Sequence, residues 1–194
     1  MDQLETKRQL IHASGLIFSF YILWAGWLLS ILTIGTILIG VILISECYKR
    51  NIKIPLASKL IDSAERPDVV DERPAKGAIL FLVGSLTALV LFGSNLKIVS
   101  ASIIILALGD SASTLSGKNF GRHKIPYNKV KSLEGSVAGF VFALIGAQVF
   151  VKMPIAILGA FTAILIESLP ITIDDNITIP VFSGMMMSLA IYLL

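Results

Sequence analysis

Four carboxylic acids lie within or at the ends of uncharged, apolar stretches of the sequence: Glu46, Asp110, Glu134 and Glu167. A carboxylate inside hydrocarbon costs about 2.5–3.5 kcal/mol, so such residues usually face a polar cavity and bind a partner or a metal ion. Glu46 has a structural explanation, because Arg50 follows four residues later on the same helical face and could pair with it. The other three carboxylates are candidates for catalytic or metal-binding chemistry.

Asp110 is followed by a run of small residues and then by two glycines with cations around them. The small residues of 111–117 allow another helix or a ligand to approach closely, although helix packing alone would also explain them. Gly117 and Gly121 allow backbone N–H groups to surround an anion. The neighbouring cations complement the charge of a phosphate: Lys118, Arg122 and Lys124. This segment therefore predicts a phosphate-binding site.

Two lysines, Lys129 and Lys131, come just before the predicted start of an apolar helix. Cations oppose the macrodipole at a helix N-terminus, and a bound phosphate would remove this conflict. A capping box is the alternative, but Ser132 has Gly135 three residues later, where the box needs Glu or Gln. The positive-inside rule is a second alternative, since it would also place these lysines on the cytoplasmic side. It does not explain why Glu134 and Gly135 follow them.

A third polar segment, Asp174, Asp175 and Asn176, comes shortly before Pro180, which is predicted to begin the last helix. Adjacent carboxylates beside an amide are suitable ligands for a hard cation. Asp and Asn are equally ordinary turn residues, so the segment is either a ligand set or a simple turn.

The composition indicates an integral membrane protein. The chain has 194 residues, of which 55% are hydrophobic and 15% are charged, and its mean hydropathy is +0.84. Stretches without Asp, Glu, Lys or Arg approach the ~20 residues that a spanning helix needs: 9–45, 77–96, 135–151 and 176–194. This pattern excludes a soluble nucleic-acid-binding protein, and the single cysteine, Cys47, excludes an internal disulfide framework.

We predict an all-α integral membrane protein, a bundle of about seven transmembrane helices with one domain over residues 1–194. The first apolar stretch is too long for one span, and Gly26 between Trp24 and Trp27 marks its division. The predicted spans are 9–24, 27–47, 77–93, 97–116, 133–151, 154–169 and 179–194.

The longest polar connection, 48–76, is the predicted surface loop between the second and third spans. Pro55 opens an apolar stripe in this loop and Pro67 ends it. The residues of the stripe are Ile54, Leu56, Leu60, Ile61 and Ala64. The pattern predicts an amphipathic helix that lies on the membrane surface and has no catalytic role.

The distribution of charge predicts the orientation of the chain. With the N-terminus in the cytoplasm, all of the 16 lysines and arginines except Lys97 and Lys152 fall on the cytoplasmic side, as the positive-inside rule requires. The 13 acidic residues fall on or near the same side. The basic net charge of +3 is therefore explained by topology, and the chemistry is expected at the cytoplasmic membrane face.

Together these residues form a predicted site with carboxylates, glycines and several cations. Phosphoryl or nucleotidyl transfer needs such groups: a divalent ion to bridge phosphates, cations to hold developing charge, and a group to orient the attacking hydroxyl. The sequence has no Walker A motif, so a P-loop enzyme is excluded.

The order of the motifs resembles the CTP-dependent membrane lipid kinases, a family that includes dolichol kinase, phytol kinase and a fungal diacylglycerol kinase. The similarity extends over most of the chain. It rests on a basic-x-x-His pattern before the first span, a Gly-Asp-Ser-Ala segment followed by two glycines, a Lys-Ser-x-Glu-Gly core and several acidic positions. These lie at 7–12, Glu46, 108–121, 128–135, Glu167 and 174–180.

The resemblance implies transfer of the γ-phosphate of CTP to the hydroxyl of a membrane isoprenoid alcohol or of diacylglycerol, with Mg²⁺ or another divalent cation. The implied catalytic residues are Asp110, Lys131, Glu134 and Glu167, the last as candidate base. The implied metal ligands are Asp110, Asp174, Asp175 and Asn176. The implied nucleotide-binding residues are Gly109, Ser111, Gly117, Lys118, Gly121, Arg122, Lys124, Lys129, Ser132 and Gly135, and His12 and Glu46 complete the site.

Two other functions stay open at this point. A CTP:phospholipid cytidylyltransferase, which makes a CDP-lipid and releases pyrophosphate, has similar glycine, aspartate and Lys-x-x-Glu-Gly motifs. A small membrane transporter would use the carboxylates as a relay, but a relay needs them along a path across the membrane, whereas here they cluster on one side.

The expected partners are CTP, a membrane lipid alcohol and the lipid bilayer, without nucleic acid, and a homodimer is left open. A multi-pass protein of this kind is expected in the plasma membrane of a prokaryote or in the endoplasmic reticulum of a eukaryote. The motifs determine neither which alcohol is used nor how strictly CTP is preferred.

Overall fold

The computed structural model describes residues 3–52, 54–64 and 74–193. This part of the chain is mostly helical, which agrees with the predicted all-α class. In chain order the helices are α1 (Gln3–Ser14), α2 (Leu16–Lys49), α3 (Pro55–Ala64), α4 (Lys76–Phe92), α5 (Leu96–Ile104), α6 (Ser111–Phe120), α7 (Leu133–Ala147), α8 (Met153–Ser168) and α9 (Asp175–Leu193). A π-helical turn, Ile105–Asp110, joins α5 to α6.

The centre of the bundle is formed by α5 and the π-helical turn. Every residue from Ile98 to Ala107 is buried, and α2, α4, α7 and α9 all pack around this segment. A helix that is apolar on all sides is expected in such a central position. Asp110 is the last residue of the turn, so the position of its carboxylate is fixed by the buried centre of the bundle.

The N-terminal part differs from the predicted first span, 9–24. The helix α1 already begins at Gln3 and ends at Ser14, and α2 starts after Gly15. The predicted division near Trp24 and Trp27 is confirmed as a kink inside α2, where Gly26 has φ 79° and ψ 176°. Glycine suits this position because it has no Cβ to clash at positive φ.

The last helix begins earlier than predicted. The helix α9 starts at Asp175, and Pro180 lies inside it instead of at its first residue. Proline has no N–H to donate to the carbonyl four residues earlier, which here belongs to Asn176. That carbonyl packs against α4, where a Cβ on Gly84 would lie 2.0 Å from it. The carbonyl of Asn176, which receives no hydrogen bond from Pro180, is therefore packed closely against α4.

A short antiparallel hairpin, which the sequence did not predict, connects α6 to α7. Its strands are β1 (Lys124–Ile125) and β2 (Asn128–Ser132), with Lys124 opposite Ser132. The strands are too short and too polar to show the alternation of apolar and polar residues by which a strand is recognised. The hairpin matters for the site because β2 carries Lys131.

Two helical stretches, Leu4–Lys49 and Leu96–Phe120, are long and apolar enough to cross a membrane, while the other apolar helices are shorter. Large apolar side chains cover the outer surfaces of α2, α7 and α8; Trp24, for example, is 81% exposed. Contiguous exposed apolar surface of this kind marks a membrane or protein interface. The number of spans and their orientation stay predictions.

The helix predicted in the polar connection is present as α3, which begins at Pro55 as expected. It packs against α1, and Tyr48 near the end of α2 donates a hydrogen bond to Asp62 of α3. Its position on a membrane surface stays a prediction. The predicted end at Pro67, together with Lys53, Arg66 and Arg73 of the charge count, lies outside the described residues.

Candidate active site

Three carboxylates from three different elements meet around one lysine. Lys131 on β2 extends its Nζ to within 2.6 Å of Glu167 Oε1 in the last turn of α8 and 3.4 Å of Asp175 Oδ2 at the start of α9. Asp110 at the end of the π-helical turn also interacts with the charge of Lys131. The structure therefore brings together three carboxylates and one lysine that the sequence had identified separately.

The charge of Lys131 is stabilised by its neighbours. Burial disfavours the ammonium form, but Glu167, Asp110 and Asp175 outweigh this effect and raise the pKa of Lys131 above its ordinary value. The side chain consequently stays protonated at any physiological pH. The carboxylates also remove the conflict expected between Lys131 and the macrodipole of α7, so a bound phosphate is not needed to explain this lysine.

Glu167 is buried, with 3% of its side chain exposed. Its Oε1 accepts two hydrogen bonds, one from Lys131 Nζ and one from Ser113 Oγ at 2.7 Å. A charged group at such a position must be paired, because an isolated carboxylate is expensive to bury. These contacts suit a residue that holds Lys131 in place, and they do not test the predicted role of Glu167 as a base.

Asp175 is the more accessible partner of Lys131. Its side chain is 36% exposed and it precedes the predicted span 179–194. Burial raises the pKa of the Asp175 carboxyl, Lys131 lowers it, and the negative charges of Asp110 and Asp174 raise it further, so the net shift is upward. The carboxylates around Asp175 therefore carry more negative charge than Lys131 alone neutralises.

Asp174 and Asn176 have the turn chemistry that the sequence had left as one alternative. Asp174 Oδ1 accepts hydrogen bonds from the backbone N–H of Asn176 at 3.0 Å and from its Nδ2 at 2.7 Å, which caps α9. Asn176 Oδ1 is buried, and within the described residues it has no hydrogen-bond partner. Of the three polar residues, only Asp175 contacts Lys131 directly.

The predicted metal ligands do not form a complete protein cage. Among the described residues there is no group of three or more His, Cys, Asp or Glu side chains that could hold a metal ion. Mg²⁺, however, is commonly bound by one or two carboxylates together with substrate phosphates and water. Asp110 and Asp175, whose charges interact, and the unpartnered Oδ1 of Asn176 fit a site of that incomplete kind.

His12 lies next to Asp110. Its Nε2 is 3.5 Å from Asp110 Oδ2, and its ring packs edge-on against Phe81 of α4 with 5.6 Å between the ring centroids. The structure therefore places this histidine beside the candidate catalytic carboxylate, although it is almost a hundred residues away in sequence.

Two of the predicted nucleotide-binding residues attach α1 to α6. Lys118 Nζ pairs with the buried carboxylate Glu5, and Ser111 Oγ donates to the backbone carbonyl of Gln9 at 3.1 Å. Glu5 also pairs with Arg8 at 3.0 Å. In this state both side chains have structural contacts that hold α1 over Asp110, and their predicted role in binding CTP stays untested.

The predicted glycine loop is mostly helical. Gly117 lies inside α6, where its backbone N–H belongs to the helix, and not in a loop that could surround an anion. A Cβ on Gly135 would lie 2.7 Å from the carbonyl oxygen of Ser113, and a Cβ on Gly121 would lie 2.2 Å from that of Gly117. Gly109 similarly faces Ala143 of α7. Close packing therefore explains these glycines: Gly117 and Gly135 lie where α6 meets α7, Gly109 lies where the π-helical turn meets α7, and Gly121 lies against Ser132 and the end of α6.

The start of α7 is tied to the segment before the hairpin. Ser132 Oγ accepts from the backbone N–H of Gly135 at 3.2 Å, so it caps the helix without a complete capping box. Glu134 accepts from the backbone N–H of His123 and contacts its Nδ1 at 2.7 Å. Glu134 thus binds His123 just before the hairpin, and its predicted catalytic role stays a prediction. The remaining predicted cations are exposed: Arg122, Lys124 and Lys129.

Glu46 has a different partner from the one predicted. Its Oε1 lies 3.2 Å from Lys49 Nζ, three residues later, and its side chain is 51% exposed at the end of α2. An exposed pair of this kind contributes little to stability. The structure therefore supports the structural explanation of Glu46, an ion pair with a cation of the same helix, but the cation is Lys49 and not Arg50.

Sequence reasoning missed three residues that support the site: Glu5, Ser113 and His123. Ser113 lies three residues after Asp110, a spacing that places both on one side of a helix and could have been used. Glu5 pairs with Lys118, which is more than a hundred residues away in sequence, and His123 contacts Glu134 across a hairpin that the sequence did not predict. No local sequence pattern therefore identified either residue.

The chain is similar to several known proteins. An uncharacterized protein of Methanocaldococcus jannaschii is 33% identical over 180 residues, which cover 91% of this chain and 88% of that protein. Phytol kinase 1 of Arabidopsis thaliana is 30% identical over 141 residues, or 63% of this chain and 46% of the kinase. CTP-dependent diacylglycerol kinase 1 of Eremothecium gossypii is 29% identical over 138 residues, or 57% and 43%.

The aligned region spans less than half the length of these two kinases. No protein-family profile matches the chain, and no solved structure matches it. The relationship to the archaeal protein extends over nearly all of both chains. The two named kinases are 30% and 29% identical to the chain over the aligned residues. The chain therefore belongs to the CTP-dependent lipid kinase family, which includes phytol kinase and CTP-dependent diacylglycerol kinase.

Proposed function

We propose that this protein transfers the γ-phosphate of CTP to the hydroxyl of a membrane lipid alcohol, either an isoprenoid alcohol or diacylglycerol, and releases CDP. The observation that carries the proposal is the position of Lys131. A permanently charged ammonium is held by Glu167 and Asp175 beside Asp110, in a chain that is similar to kinases for lipid alcohols.

In this proposal Lys131 binds the phosphates of the nucleotide. Its side chain is 21% exposed, and its two carboxylate partners fix its position. Preorganised cations that meet developing negative charge supply a large share of catalysis in phosphoryl transfer. Asp175 bonds to Lys131 at the longer distance of 3.4 Å, and we expect this contact to open when phosphate arrives.

Asp110 and Asp175 are the residues that would hold Mg²⁺. When bound, a divalent cation bridges phosphate oxygens and neutralises part of their charge. The excess of carboxylates over cations around Lys131 favours a cation at this point. Arg122, Lys124 and Lys129 are exposed near the site, and their positive charge would attract the nucleotide from solution.

The proposed membrane arrangement explains how two unlike substrates meet. The apolar outer surfaces of α2, α7 and α8 would face lipid, and a lipid alcohol would diffuse to the site within the bilayer. CTP would arrive from the cytoplasm, the side to which the distribution of lysine and arginine assigns the site. Neither substrate then crosses the membrane, whether the protein lies in a prokaryotic plasma membrane or in the endoplasmic reticulum.

The experiment that tests this function uses purified protein in mixed micelles with Mg²⁺ and CTP labelled at either the α- or the γ-phosphate. The lipids are phytol, geranylgeraniol, a polyprenol and diacylglycerol, offered one at a time. The proposal expects label in the lipid product only from the γ-position. Label from the α-position would instead establish a cytidylyltransferase, and label from neither would remove both enzymes.

A matched pair of variants shows whether the activity belongs to this site. Lys131→Met removes the central cation, whereas Lys152→Met removes an exposed lysine at the start of α8. We expect the first variant to lose incorporation of γ-label and the second to keep it. Competition by unlabelled ATP, GTP and UTP then measures the preference for CTP.

A further inference from the structure

An unsatisfied polar atom of His12 lies next to Asp110. His12 Nε2 is buried, and in the part of the chain that the structure describes it has no hydrogen-bond partner. The nearest carboxylate oxygen, Asp110 Oδ2, lies 3.5 Å away, which is too far for a good hydrogen bond. Buried polar atoms are nearly always paired in folded proteins, so an unpaired one needs an explanation.

The surroundings of His12 limit what could satisfy this atom. Its ring packs edge-on against Phe81, and Phe81 in turn packs against Phe18 with 5.8 Å between the ring centroids. Gly15 follows His12 closely and lies so near to Phe81 that a Cβ would be 2.5 Å from its ring. Apart from the Asp110 carboxylate, the contacts that surround the His12 ring are therefore aromatic, whereas Lys131 is surrounded by several carboxylates.

The surroundings of Lys131 and of His12 consequently suit different ligands. Lys131 offers a fixed positive charge, which suits a phosphate. His12 and Asp110 together offer one nitrogen and one carboxylate oxygen next to aromatic rings. A hydroxyl on a hydrocarbon chain fits this position, because a hydroxyl both accepts and donates a hydrogen bond while the chain needs an apolar surface.

We propose that His12 and Asp110 bind the acceptor hydroxyl of the lipid alcohol, an inference that rests on the kinase function proposed above. The hydroxyl oxygen accepts a hydrogen bond from His12 Nε2–H and donates its own hydrogen to Asp110 Oδ2. Phe81 keeps the imidazole in this orientation. The acceptor hydroxyl is then held at Asp110 by His12, next to the γ-phosphate of a nucleotide whose phosphates bind Lys131, and its proton passes to Asp110 as the oxygen attacks the phosphorus and CDP leaves.

Two substitutions separate hydrogen bonding from packing at position 12. His12→Phe keeps an aromatic ring against Phe81 but has no polar atom, whereas His12→Gln loses the ring but places an amide N–H close to the position of Nε2. If His12 binds the hydroxyl, the KM for the alcohol rises about tenfold in His12→Phe. It rises much less in His12→Gln, and the KM for CTP stays within about twofold in both.

The opposite ranking would overturn the proposal. If His12 matters only through its contact with Phe81, His12→Phe keeps wild-type kinetics and His12→Gln loses activity. An equal loss in both variants would also reject a specific hydrogen bond. Ser14→Ala is the matched control on α1, because Ser14 is exposed and bonds only to the carbonyl of Ile11 in its own helix; this variant should behave as wild type.

A binding measurement distinguishes failure of this inference from failure of the kinase function. Thermal unfolding is followed with phytol, and separately with the same branched hydrocarbon lacking the hydroxyl, without any nucleotide. The proposal expects an additional stabilisation by the alcohol in wild type and His12→Gln, and its loss in His12→Phe. No such difference in wild type, or an undiminished one in His12→Phe, would reject the hydroxyl site. Stabilisation of every variant by CDP shows that each is folded.

Discussion

Lys131 and Glu167 form a largely buried ion pair, with 2.6 Å between Nζ and Oε1, that connects the hairpin to the end of α8. The pair fixes a flexible side chain at the point where Asp110 and Asp175 also converge. A lysine on a short exposed hairpin would otherwise sample many rotamers. Its attachment to a buried carboxylate is what converts it into a preorganised cation.

Removing one partner of this pair should damage both stability and activity. Lys131→Met leaves Glu167 buried without a cation, so we expect the free energy of unfolding to fall by about 3–5 kcal/mol and transfer of γ-label to be lost. The double variant Lys131→Met with Glu167→Gln removes both charges and should recover most of the stability but none of the activity. Thermal unfolding and kinase assays in the same detergent measure both effects. A double variant as unstable as the single one would contradict the buried-pair explanation.

Asp110 should be essential for turnover but not for folding. Asp110→Asn keeps the shape of the side chain and removes the charge between His12 and Lys131, so we expect kcat to fall at least about a hundredfold with little change in the unfolding temperature. Chelation of divalent cations should abolish the activity of the wild type, and addition of Mg²⁺ should restore it. Full turnover by Asp110→Asn would exclude it from the catalytic site.

Asp175 should lower the stability of the free protein at neutral pH. Its pKa is raised in the folded state, so the ionised form is less favourable there than in the unfolded chain. Stability is therefore lost as the pH rises through this elevated pKa, and Asp175→Asn should raise the unfolding temperature at pH 7. The gain should shrink toward pH 4, where the wild-type carboxyl becomes protonated. Equal gains at both pH values would show that the effect is unrelated to ionisation.

Gly135 should tolerate no side chain, because a Cβ there would lie 2.7 Å from the backbone oxygen of Ser113. Backbone cannot move as a side chain can, so Gly135→Ala should destabilise the protein by about 1–3 kcal/mol and displace α6 from α7. Gly40→Ala in α2 is the matched control, since no described atom lies within 4 Å of its Cβ position. That variant should be neutral or slightly stabilising, because alanine favours a helix. Similar losses in both variants would contradict the packing explanation.

The local features of the site were predictable because they depend on residue type and near neighbours in sequence. The cost of placing carboxylates in apolar segments identified Asp110, Glu134 and Glu167, and the kink at Gly26 followed from a glycine between two tryptophans. Glu46 illustrates the limit of that reasoning. Both Lys49 and Arg50 were within helical reach, and only the side-chain geometry selected Lys49.

The sequence by itself determined the mostly helical class, the kinase family and the carboxylates and lysines that could perform the chemistry. Only the tertiary structure decided which of them meet. It directed Lys131 toward Glu167 and Asp175, directed Glu134 toward His123, and brought His12 to Asp110. The physical reason is that apolar periodicity and helix signals act over a few residues, whereas these contacts depend on how α1, α8, α9 and the hairpin pack around the buried central helix.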